Sequence, residues 1–134
     1  MKYLVWLMQV SPTNTITFRY HHPIKTYWRK GLLPTVKRGL YGGLLTQENI
    51  SLEHLIPHCV GGHTFFSNVA LATKKNNNMR GSAPLERFLT GEQVETYLKQ
   101  FKGVNLPEFN GRKYIEAVIQ TLKNLGIMIK GDLL

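Results

Sequence analysis

Glu53 and His54 stand side by side in a short apolar run, Ile50 to Ile56, and Asn68, Asn77 and Arg80 follow downstream. These residue types suit one kind of chemistry. A carboxylate and an amide oxygen are ligands that hard divalent ions such as Mg2+ or Mn2+ accept, with water completing the shell. A neutral imidazole near its ordinary pKa can take a proton from water. Such an ion neutralises phosphoryl oxygens and stabilises a leaving oxygen, so ion and base together meet the needs of phosphodiester hydrolysis. The simpler alternative is a surface ion pair on a strand.

For these side chains to meet, the surrounding elements must bring them together. Ile50 to Ile56 predicts a short strand that Pro57 stops. Gly61-Gly62 predicts a tight reversal, and Val69 to Thr73 a second strand. Thr73 is placed to cap a helix from Lys74, which Gly81 and Pro84 limit to roughly two turns. Strict alternation puts Glu53 and His54 on opposite faces. A shared site therefore requires the strand to break its pleat there, through a bulge or by ending.

Upstream, Lys2 to Val10 and Thr15 to Tyr20 predict two strands of a hairpin around Pro12-Thr13-Asn14. From Arg19 to Arg38 basic and aromatic residues interleave. Arg29, Lys30, Lys37 and Arg38 are candidates there for phosphate contact, while tyrosine and tryptophan could stack on bases. The alternative is a solvated face whose aromatics belong to the core. Lys74 and Lys75 extend the candidate set, because cations at a helix start oppose its dipole and suit a phosphate partner. Adjacent His21 and His22 point to opposite sides of an extended chain and are read as surface residues. Tyr41-Gly42-Gly43 reads as a loop.

Downstream, Ser82 and Pro84 can start a short helix through Leu89. Thr90 to Gln93 reads as a cap leading into a helix to about Phe101, with Val94, Tyr97, Leu98 and Phe101 along one face. Asn110 can cap a longer helix to Leu125, with Tyr114, Ala117, Val118, Thr121, Leu122 and Leu125 as its stripe and Gly126 as its stop. Ile127-Met128-Ile129 is expected to form a last strand.

The 134 residues read as one domain: a basic β/loop region over 1–45, a central unit over 46–90 and a helical part over 91–134. A formal net charge of +9 attracts polyanions, so DNA, RNA or an acidic membrane face is the expected class of partner. The single cysteine, Cys59, excludes an intramolecular disulfide and fits a reducing compartment. It reads as a small apolar residue, and His58 and His63 as loop residues beside the glycine turn. The apolar N-terminal run MKYLVWLMQV is too short to span a membrane and lacks a cleavage site. The expectation is a soluble, cytoplasmic protein with no membrane partner.

Taken together, Ile50 to Gly81, about a quarter of the chain, resembles the HNH family of nucleases. The likeness lies in Glu53-His54-Leu55-Ile56-Pro57, Gly61-Gly62, Asn68, Asn77 and Arg80, in register. Fourteen residues from His54 to Asn68 and nine more to Asn77 are close to the spacing in compact members, such as the HNH domain of RNA-guided CRISPR nucleases. The resemblance implies an α+β fold with a ββα-metal nucleus, flanked here by the N-terminal β-hairpin and the C-terminal helices. It also implies a DNA endonuclease using one Mg2+ or Mn2+ ion, in a bacterial or phage-infected cell, with RNA not excluded as substrate.

By that resemblance Glu53 matches the metal-binding acid and His54 the general base. Asn68 matches the central asparagine, which orients the histidine and holds the loop through backbone contacts. Asn77 matches the second metal ligand and Arg80 a basic residue that contacts phosphate. Asn76-Asn77-Asn78 leaves the register open by one residue, and Asn77 is chosen because Arg80 then lies three residues on. The chain departs from the pattern in carrying Glu where Asp is commoner and in lacking the cysteine tetrad of many members. One such site cuts one strand, so double-strand cleavage would need a homodimer or two encounters. The competing expectation, from another class, is an HNH-like module that grips nucleic acid or protein without cutting. A structural zinc site comes third, since only scattered histidines could serve it.

Overall fold

A computed structural model describes residues 23–56, 68–129 and 133. The expected N-terminal hairpin, His21-His22, the Gly61-Gly62 reversal, His58, Cys59 and His63 lie outside the described residues. The architecture is α+β.

Helix α1, Pro23–Arg29, opens the described chain. It was expected as part of a β/loop region. Proline at the first helical position is its one local signal, since its fixed φ suits the helix and its missing N–H would be unpaired there anyway. Ile24 is fully buried, and Tyr27 and Trp28 pack against the core. The Trp28 indole donates to the Val36 carbonyl at 2.8 Å. These aromatics brace the fold.

Strands β1, Ile50–His54, and β2, Val69–Thr73, pair antiparallel in an unbroken register from Ile50 opposite Thr73 to His54 opposite Val69. There is no bulge between them, and the strand ends only after His54, where Leu55 adds one bond to the Asn68 carbonyl and the chain then bends. The expected break of the pleat at Glu53-His54 is therefore not found. All five β2 residues are buried, and a leucine such as Leu71 contributes about 1.5–3 kcal/mol by leaving water.

Helix α2, Lys74–Arg80, follows β2 without a linker. The Thr73 side chain accepts from Asn76 N–H at its start, and the Gly81 N–H caps the Asn77 carbonyl at its end. A 3-10 turn, Leu85–Arg87, stands where a short helix was expected. Helix α3, Gly91–Lys99, opens with a complete capping box between Thr90 and Gln93. Strands β3, Asn105–Leu106, and β4, Phe109–Asn110, form a small hairpin with no counterpart in the sequence reading. Asn110 then caps helix α4, Gly111–Asn124, by accepting from Lys113 N–H. Residues 127–129 carry no strand, contrary to expectation.

The edge of β2 turned away from β1 is closed by side chains and a loop. Leu71 N–H donates to the Tyr97 hydroxyl at 2.9 Å, the Tyr97 and Tyr114 hydroxyls lie 2.9 Å apart, and Tyr114 donates to the Val69 carbonyl at 2.7 Å. Since Tyr114 gives its proton to Val69, Tyr97 must donate to Tyr114. Two buried tyrosines thus turn strand-edge groups into a satisfied relay. Leu40 N–H takes the Leu71 carbonyl at 2.8 Å and presses the 39–43 loop onto the same edge. A Cβ on Gly39 would lie 2.8 Å from the Ala72 Cα, and Gly42 turns the loop at φ 94°, so both positions require glycine.

Candidate active site

The joint between β1 and α2 gathers residues far apart in sequence. Helix α2 lies over the strand, and Asn77 donates its amide to Ser51 Oγ at 2.6 Å and to the Leu52 carbonyl at 3.2 Å. With the N–H end so committed, Asn77 Oδ1 has no partner among the described residues. It is the end of the amide that could serve a cation.

Glu53 faces the same helix and is 2% exposed. The Tyr41 hydroxyl donates to its Oε2 at 2.7 Å, and Arg80 Nη1 lies 3.3 Å from its Oε1. Burial pushes the Glu53 carboxyl above its ordinary pKa, against the opposing pull of the Tyr41 hydrogen bond and the Arg80 charge. Burial, and then the charge of Glu53, hold the Tyr41 phenol far above the ordinary range.

Arg80 is 3% exposed, and its guanidinium is committed to the protein. Nη1 donates to the His54 carbonyl at 2.6 Å, Nη2 to the Leu55 carbonyl at 3.0 Å and Nε to the Ala83 carbonyl at 2.9 Å. The expectation of direct phosphate contact does not fit this placement. A fork that bonds the end of β1 and the start of the following turn is a clamp, and turning it to solvent would orphan three carbonyls.

Asn68 sits just before β2 and reaches back to the other side of the bend. Its Oδ1 accepts from Ile56 N–H at 2.7 Å, and its Nδ2 donates to the Ile56 carbonyl at 3.0 Å. This pair fixes the backbone two residues beyond His54. His54 itself is partly exposed and closes β1. The regular register assigns Glu53 and His54 to successive sides of the pleat. Arg80 anchors both, one through its carboxylate and the other through its carbonyl.

The basic candidates Arg29, Lys30, Lys37, Arg38, Lys74 and Lys75 are all exposed. They fall into two places. Burial, then the charges of Arg29 and Lys74, lower the pKa of Lys25, so α1 and the start of α2 share one positive neighbourhood. Lys37 and Arg38 instead belong to a loop docked on α3, where the Gln100 amide oxygen accepts both backbone N–H groups at 2.9 Å. Arg38 also lines a cavity of about 560 Å3 between that loop and residues 86–100, which none of Glu53, His54, Asn68 or Asn77 borders.

Among the described residues no three of His, Cys, Asp and Glu cluster. An ion at this joint would therefore be held by one carboxylate, one amide oxygen and water. That donor set fits Mg2+ or Mn2+ and not structural zinc. The Glu53 carboxylate takes the Tyr41 hydroxyl, the His54 N–H and Arg80, and of about four lone-pair sites on its two oxygens this leaves capacity for one ligand. Among the described residues no helix is long and apolar enough to cross a membrane.

No family model, no curated protein and no solved structure matches this chain.

Proposed function

We propose that the chain is a divalent-metal-dependent endonuclease of the HNH type, cutting DNA at the joint of β1 and α2. The observation that carries this reading is one strand–helix joint at which Arg80 pairs with Glu53 and holds the His54 carbonyl, while Asn77 of the same helix bonds Ser51 and Leu52 of the same strand. A nucleus of two antiparallel strands and a short helix, read from a motif at matching spacing, supports it.

Glu53 and the Asn77 amide oxygen would hold one Mg2+ or Mn2+ ion. When bound, that ion would neutralise phosphoryl charge and stabilise the leaving oxygen. His54 takes the proton from the attacking water, as its place beside the acid in the motif implies. Asn68 keeps the Ile56 bend rigid, which fixes the backbone on which His54 stands. Arg80 neutralises the buried carboxylate and locks the strand end. The exposed cations of α1 and of the α2 start supply backbone attraction for DNA. By the resemblance, in-line attack leaves 5′-phosphate and 3′-hydroxyl ends.

One feature favours the second reading, a module that binds nucleic acid without cutting it. Both Glu53 oxygens already accept a bond, and the carboxylate is buried. Plasmid nicking in Mn2+, compared with EDTA, separates the two. The endonuclease reading expects EDTA-sensitive nicking that His54→Ala abolishes while DNA binding survives. Full activity in that variant removes the mechanism.

A further inference from the structure

The loop at 39–43 is built to deliver one side chain. Leu40 N–H is bonded to β2, Gly39 N–H to the Gly43 carbonyl at 2.9 Å, and Gly42 N–H to the Gly39 carbonyl at 3.0 Å. Arg38 and Leu44 form a bridge across its base. Gly39 presses against the β2 backbone where no other residue has room. Between these fixed points Tyr41 projects to the Glu53 carboxylate, with its hydroxyl 2.7 Å from Oε2. Arg80 alone would neutralise that carboxylate, so charge balance does not call for a second donor. A buried ion pair also adds little stability compared with apolar residues of the same volume. What a second donor on the other oxygen does is fix the carboxylate's rotation. With Oε2 held by Tyr41, Oε1 by Arg80 and the His54 N–H also bonded to the carboxylate, the plane of the group is set before any cation arrives.

We propose that Tyr41 is a positioning residue for the Glu53 carboxylate, holding it in the orientation that accepts a divalent cation. The proposal rests on the reading of Glu53 as a ligand. Without the hydroxyl, Oε2 loses its side-chain donor and the carboxylate is held only by Arg80 and the His54 N–H, so its plane is less firmly set. Cation uptake would then have to order the group as well as bind it.

The test is Tyr41→Phe in the full chain, with Mn2+ uptake by the DNA-free protein read from the electron paramagnetic resonance of free Mn2+. Loss of an orienting partner weakens metal affinity by about 10–100-fold. The expected result is weakening of that order, with an unchanged KM for DNA and only the modest fall in melting temperature in EDTA that one lost hydrogen bond to a buried carboxylate brings. Cleavage recovers as Mn2+ is raised to saturation, which a merely structural role would not produce. In a Glu53→Gln background the Tyr41 change adds nothing further to the loss of Mn2+ affinity. Wild-type Mn2+ affinity in Tyr41→Phe, in a protein that otherwise binds Mn2+ and cuts, overturns the role of Tyr41 alone. A large fall in melting temperature, with cleavage lost at every Mn2+ concentration, overturns it too. A wild-type protein that takes up no Mn2+ removes both this proposal and the reading beneath it.

Discussion

Arg80→Lys separates a clamp from a phosphate-contacting residue, because it keeps the charge and removes the fork. Arg80 bonds three carbonyls, of His54, Leu55 and Ala83, between 2.6 and 3.0 Å, and lies 3.3 Å from Glu53. A lysine ammonium is one point at the end of a flexible stem, and it cannot reach acceptors spread around a planar group. At least two of these acceptors would lose their partner. Hydrogen bonds from a charged donor contribute about 1.5–3 kcal/mol each, so the expected loss is about 3–6 kcal/mol. At this chain length that corresponds to a fall in Tm of roughly 10–20 °C. The assay is thermal or urea unfolding followed by circular dichroism in EDTA, paired with DNA binding across a salt series. The slope of log affinity against log salt should stay as in the wild type, because a residue bound inside the protein neutralises no phosphate. A phosphate-contacting arginine changed to lysine would leave stability intact. If Arg80→Lys melts with the wild type, and Arg80→Ala makes the salt slope shallower by about one, the clamp is refuted.

Tyr97→Phe removes the acceptor of Leu71 N–H and the proton shared with Tyr114. A buried N–H left unpaired costs about 1–3 kcal/mol, which urea unfolding would register, while unchanged stability would show that the relay contributes nothing. Glu53 sets a pH dependence with a definite sign. Its folded pKa is raised, chiefly by burial, so folding takes up a proton. Its contribution to stability is therefore fully present below the ordinary carboxylate range and lost as pH rises through the raised value. In urea unfolding without metal, the difference between the wild type and Glu53→Gln should grow over that window, and a flat difference contradicts the assignment. Mn2+ uptake carries the opposite sign. It must displace that proton, so apparent affinity falls by up to about tenfold per pH unit as pH drops below the raised value.

Much of the fold was legible where the signal is local. Thr73, Thr90 and Asn110 cap helices as their types and positions imply, because a cap needs only its own side chain and the next turn. The bounds of β2 and α2 follow from an apolar run, a cap and a glycine. Helix α1 was missed because its tyrosine, tryptophan and threonine lean toward strand and only Pro23 argues for helix. The β3–β4 hairpin was missed because two-residue strands carry no periodicity. Along α4 the buried stripe includes Ile115, while Ala117, Thr121 and Leu125 lie at its flank. At the candidate site, the motif led to Glu53, Asn68 and Asn77, yet it did not tell that Arg80 turns inward or that Tyr41 reaches Glu53. Both contacts join residues from different elements, and burial of a charged group is decided by what folds over it. The Tyr41-Gly42-Gly43 turn, with Gly39 before it, was the available sign that this loop lies close to another backbone.

The most direct measurement is a crystal structure of the protein with Mn2+ and a DNA duplex, with the ion located by its anomalous scattering. The account predicts a single peak bonded to the Glu53 carboxylate and Asn77 Oδ1, with the His54 imidazole turned toward a water beside the phosphate. A peak held by other residues, or a bound duplex with no ion near Glu53, would contradict it.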